Sequence, residues 1–88
     1  MLSDMDSTTA HTPASLRARL DLSQEQVASR ASEFAGSKVS TSTVRRLECG
    51  RSVGLDHLRA IAAALAVTVD VLIEAMDTER ARRAGSAA

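Results

Sequence analysis

Apolar residues recur three and four positions apart along most of this chain, the spacing of one helical face, and they fall into five short runs. Thr12 followed by Pro13 reads as an N-cap with proline in the first helical position, where a missing N–H costs nothing, and Leu16 and Leu20 follow at i,i+4. This predicts a helix near 13–20. Ser23 with Gln26 forms a capping box, and Val27, Ala31 and Phe34 share the face of a second helix that Gly36 can end by adopting positive φ. Ser40 is the best cap for a third helix to about Glu48, with Val44 and Leu47 turned inward and Gly50 closing it. In "LDHLRAIAAALAV" the residues Leu55, Leu58, Ile61, Ala62 and Leu65 form one stripe of a largely buried fourth helix. Thr68 caps a fifth, in which Val69, Leu72, Ile73 and Met76 line one side and Glu79 and Arg83 are spaced for an i,i+4 pair.

Composition supports the helical reading. The chain has 88 residues, 44% hydrophobic, and its single aromatic residue is Phe34, so Ala, Leu, Val and Ile must fill the core. None of the runs is long enough to be a stable helix alone, so each must bury its apolar face against the others. The expected fold class is therefore all-α and compact, with Phe34 in the core. Residues 1–11 read as a flexible leader, residues 12–78 as one folded domain, and residues 79–88 as a tail in which the last helix frays.

Charge narrows the choice of partner. Eleven basic and eleven acidic residues cancel, which by itself argues against a partner held by bulk charge such as a polyanion or a membrane surface. Between Lys38 and Arg59, however, five positive and two negative side chains leave a local net charge of +3. The first residues, "MLSDMDSTTAHT", lack the basic start and apolar run of a secretory signal, and the run "AIAAALAV" is far too short to span a bilayer, so a cytoplasmic protein with no membrane contact is expected. The single cysteine, Cys49, cannot form an internal disulfide, and with two histidines and scattered acids it does not make metal-ligand spacing. No nucleophile, base and orienting group can be assembled, so neither an enzyme nor a cofactor is expected.

The stretch "KVSTSTVRRLECG" at 38–50 carries the chemistry. A helix entering the major groove needs short polar groups at its N-terminal end, where the backbone comes closest to base edges, and Thr41, Ser42 and Thr43 meet that need. Arg45 and Arg46, one turn on, have the reach and forked donors for guanine or phosphate. Taken alone, the hydroxyl row also fits a loop feeding a helix cap, and the arginines fit a solvated face.

Three segments, "LSQEQVA", "VSTSTVRRLECG" and "LDHLRAIAAALAVTVDVLIE", resemble the Cro/repressor, or XRE-type, family of helix-turn-helix DNA-binding domains over residues 13–76. The resemblance implies a compact five-helix lambda-repressor-like domain that binds double-stranded DNA, with Thr41, Ser42, Arg45 and Arg46 at base-contacting positions. It implies phosphate contacts from Ser23, Gln24, Lys38, Ser40, Thr43 and Arg51, and a structural pair of Arg17 with Glu48. The segment "SEFAGS" at 32–37 is extra relative to the family's tight turn, which implies a longer second helix and an extended connection to the third. Because one short helix reads few base pairs, a homodimer on a palindromic operator is expected, with the fifth helix and "MDTERARRA" as candidates for its interface. A second reading keeps the same fold as a protein-interaction module, such as an antitoxin or a small partner of a larger regulator, with DNA binding secondary.

Overall fold

The computed structural model describes residues 11–87, and apart from His11 the expected leader lies outside them. The described residues form five helices and no strand: α1 (Pro13–Arg19), α2 (Gln24–Ala35), α3 (Thr41–Glu48), α4 (Leu55–Ala64) and α5 (Val69–Ala87). The all-α, five-helix class is thus the one the chain adopts, and the connection from α2 to α3 is extended.

Four of the five starts are fixed by a hydroxyl that accepts a backbone N–H left without a partner in the first turn. Thr12 accepts from Ser15 at 3.2 Å, Ser23 from Gln26 at 3.0 Å, Ser40 from Thr43 at 3.2 Å and Thr68 from Val71 at 3.2 Å. The side chains of Ser15 and Gln26 complete the first two as capping boxes. Gly36 ends α2 at φ 72°. After α3, Gly50 takes φ 81°, its N–H donates to the Leu47 carbonyl and that of Arg51 to the Arg46 carbonyl, the paired bonds of a Schellman motif. The same paired bonds end α1 and α4, with Asp21 (φ 58°) and Ala66 (φ 59°) in the glycine position.

The core sits where α2 and α4 pack most extensively, with α1, α3 and α5 closing it. Val27, Ala28 and Ala31 of α2 and Ala60, Ile61 and Ala64 of α4 are buried, and the alanines let the two backbones approach closely. Leu16, Val44, Leu47 and Leu72 bring the other three helices in, each fully buried leucine contributing about 1.5–3 kcal/mol of transfer free energy.

Phe34 is not in this core. It is 61% exposed, because the buried stripe of α2 swings at its end toward Ala35 and Val39. The chain doubles back after Gly36, and the Ser32 hydroxyl accepts from the Val39 N–H at 2.8 Å while donating to the Ala28 carbonyl at 2.8 Å. Val39, 2% exposed, takes the place expected of the aromatic ring. Phe34 is left on the rim of a shallow groove against Asp56, Arg59, Ala60 and Ala63 of α4. Leu55 is exposed as well, since it is the first residue of α4 and lies before the turns that α2 covers. On α5 the buried side runs through Leu72, Ala75, Met76 and Glu79, and Ile73, one residue round from Leu72, is exposed.

The boundary expected at 78/79 falls inside α5, which continues to Ala87 without a break. Glu79, 3% exposed, continues its buried stripe, with a carboxylate that accepts from Arg82 at 3.0 and 3.1 Å and from Arg83 at 2.5 Å. Burial pushes the Glu79 carboxyl up, but the hydrogen bonds and charges of Arg82 and Arg83 outweigh it and hold the group below its ordinary value. A carboxylate with a lowered folded-state pKa stabilises the fold above the unfolded-state value and loses that contribution as pH falls through the folded one. Glu79→Gln is therefore expected to lower the urea midpoint at pH 7, by an amount that shrinks steadily as pH is taken below about 4, the ordinary glutamate range. A midpoint difference that stays constant from pH 7 to pH 3 would show that the charge contributes nothing.

Candidate nucleic-acid interface

α3 is an eight-residue helix with two unlike sides. Val44 and Leu47 are 1% and 0% exposed and anchor its inner side, while Ser42, Arg45 and Arg46 are exposed on the outer one. The separation follows from spacing, since residues 42, 45 and 46 recur at three and four positions as 44 and 47 do on the opposite face.

Glu48, the last residue of α3, fixes the helix to the scaffold. Arg17 of α1 reaches it with Nε at 2.5 Å and Nη2 at 3.2 Å, a forked pairing, and turns its third donor, Nη1, to the Leu22 carbonyl at 3.0 Å. Gln24, the first residue of α2, donates from Nε2 to Glu48 Oε1 at 2.8 Å. One largely buried carboxylate therefore gathers α1, α2 and α3. Gln24, expected against the DNA backbone, uses one amide N–H inside the domain.

At the other end of α3, Ser40 Oγ lies 3.0 Å from Thr43 Oγ1 and also accepts the Thr43 N–H, so these two hydroxyls are occupied first with the cap. Thr41 is half-buried beside them. Ser23 caps α2 and remains exposed, and Lys38 is exposed in the connection. Ser42, Arg45, Arg46 and Arg51 come together around one shallow cleft that also touches Cys49. Among the described residues none of Lys38, Arg45, Arg46 and Arg51 forms an ion pair. The only acid of α3 is turned inward to Arg17, so among the described residues the outer side carries positive charge that no ion pair offsets, despite the zero net charge of the chain.

Two participants carry no sequence signal of this kind. Val39 anchors the extended connection and is a lone apolar residue in a polar turn, and Arg80 of α5 donates from Nε to the Gly50 carbonyl at 2.5 Å, thirty residues away.

No helix among the described residues is long and apolar enough to cross a membrane. No curated protein and no solved structure matches the chain significantly. The family model for the helix-turn-helix domain does match, over residues 14–72, which takes in α1 to α4 and the start of α5, with the outward-facing α3 at its centre. The chain belongs to the XRE-type helix-turn-helix family of DNA-binding regulators.

Proposed function

We propose that the protein is a sequence-specific regulator of transcription, a repressor that binds double-stranded DNA as a homodimer on a palindromic operator, with α3 in the major groove. The observation that carries this reading is the outer side of α3, where Ser42, Arg45 and Arg46 are exposed and, among the described residues, the arginines form no ion pair, on a helix locked from behind by Val44, Leu47 and Glu48. Thr41, Ser42, Arg45 and Arg46 read base edges, the arginines through paired donors suited to guanine. Ser23, Gln24, Lys38, Ser40, Thr43 and Arg51 hold phosphates, helped by the positive N-terminal ends of α2 and α3. Two copies are needed because an eight-residue helix reads only a few base pairs, and the second copy reads the half-site about one helical turn away. Size measurement at high concentration, with and without operator, tests that step, and a monomer in both refutes it.

The protein-interaction reading draws on two exposed apolar side chains, Phe34 and Leu55, together with the zero net charge. Selection from random duplex DNA separates the two. Enrichment of a palindrome is expected, and Arg46→Ala is expected to cost about 2 kcal/mol on that palindrome while relaxing the preference at one base pair. Arg51→Ala, in contrast, weakens binding to all sequences alike and lowers the slope of log K against log salt by about 0.9. Binding without a preferred sequence, or none, favours the interaction module.

A further inference from the structure

We propose that Arg80, on the part of α5 beyond the family match, is a positioning residue that holds the C-terminal end of α3 in register for base reading; this rests on the DNA-binding reading above. Three observations meet at Gly50. Arg80 Nε donates to its carbonyl at 2.5 Å, while Nη1 of the same guanidinium donates to Asp77 Oδ1 at 2.7 Å in an exposed pair one turn back on α5. The Arg80 side chain lies against Gly50 so closely that a Cβ there would be 2.8 Å from Arg80 Cγ, with the α5 backbone in ordinary contact at 3.5 Å from the Met76 carbonyl oxygen. Gly50 is also the left-handed residue whose N–H closes α3, directly before Arg51 at the cleft.

The end of α3 is therefore gripped twice within three residues, Glu48 by α1 and α2 and Gly50 by α5. The second grip places a guanidinium near the negative end of the helix dipole, where a cation is favourable. With Arg80 removed, the last turn of α3 samples more than one orientation while the long Arg51 side chain still reaches its phosphate, and apparent affinity for the palindrome falls in proportion to the fraction of molecules correctly aligned. Arg80 itself need not touch DNA.

Arg80→Met, which keeps the aliphatic stem beside Gly50 and removes the donors, tests this on the full chain. An aligned fraction of about one tenth in the variant would raise the Kd for the selected palindrome about tenfold. Binding to random duplex and the salt slope should stay at wild-type values, and the amides of Cys49, Gly50 and Arg51 should exchange faster in the free protein while those of α2 do not. Arg80→Lys, which restores one donor, should recover most of both effects. A salt slope lower by about 0.9 would make Arg80 a phosphate contact and overturn the proposal. So would an equal loss on all sequences, or wild-type selectivity with wild-type exchange. If the wild type itself prefers no sequence, the regulator reading fails, while exchange at 49–51 still tests the grip in the free protein.

Discussion

Arg17→Ala is expected to lower the unfolding free energy by about 3 kcal/mol and to remove specific DNA binding with it. The Glu48 side chain is only 10% exposed, and Arg17 supplies two of the three hydrogen bonds received by its carboxylate. Without Arg17 that carboxylate keeps a single amide partner, and breaking a buried pair from one side costs roughly 3–5 kcal/mol, reduced here toward the lower end because Arg17 is partly solvated. Glu48→Gln should cost less, since the guanidinium retains the Leu22 carbonyl and water. The pair replaced together, Arg17→Met with Glu48→Met, should recover part of the loss, because apolar side chains of similar length leave no uncompensated charge. Urea unfolding of the wild type, Arg17→Met, Glu48→Met and the double variant yields the coupling energy. A value under about 0.5 kcal/mol, the limit for independent sites, would mean that the carboxylate is not the junction of α1, α2 and α3.

This junction also marks how far the amino-acid pattern carries. Each start capped by a hydroxyl, and each end closed by glycine at Gly36 and Gly50, is a local event in which one side chain or one missing Cβ decides the backbone, and such events can be read from a few residues. Asp21 and Ala66 make the same left-handed turn with no glycine, so the ends of α1 and α4 carry no such mark. Phe34, Leu55 and Ile73 lie on the apolar stripes that periodicity defines, yet all three are exposed. Periodicity fixes the direction of a stripe, whereas the neighbour decides which part of it is covered, and that neighbour is set by tertiary packing. Val39 displaced Phe34 only because the chain after Gly36 doubles back on Ser32.

The outer side of α3 was legible for the same local reason, since Val44 and Leu47 determine which way Ser42, Arg45 and Arg46 turn. What fixes the helix was not legible from spacing. Arg17 and Glu48 came from a family resemblance, and nothing local in the chain ties Gln24 to Glu48 or Arg80 to Gly50. Glu79 shows the intermediate case, where the i,i+4 partner Arg83 could be read but the burial of the carboxylate could not.

Gly50→Ala is expected to cost about 3 kcal/mol, through two effects that a second substitution can separate. At φ 81° an L side chain in the left-handed region costs about 1–2 kcal/mol. The new Cβ would also lie 2.8 Å from Arg80 Cγ, and forcing an extra methyl into a packed contact typically costs about 1–3 kcal/mol more. Arg80 cannot swing away freely, because the atoms beyond its Cγ are bound to Gly50 and Asp77. In the double variant Gly50→Ala, Arg80→Ala the clash disappears and the backbone cost remains, so its destabilisation should be smaller than the sum of the two single changes by about 1 kcal/mol. Gly36→Ala supplies the comparison, since a Cβ there meets nothing within 4 Å at a similar φ of 72° and should cost only the backbone part. Equal losses for Gly36→Ala and Gly50→Ala in urea unfolding would leave backbone conformation as the whole effect and α5 with no grip on the end of α3. A larger loss at Gly50, partly relieved by Arg80→Ala, would tie the stability of the α3 end to the helix that follows the family domain.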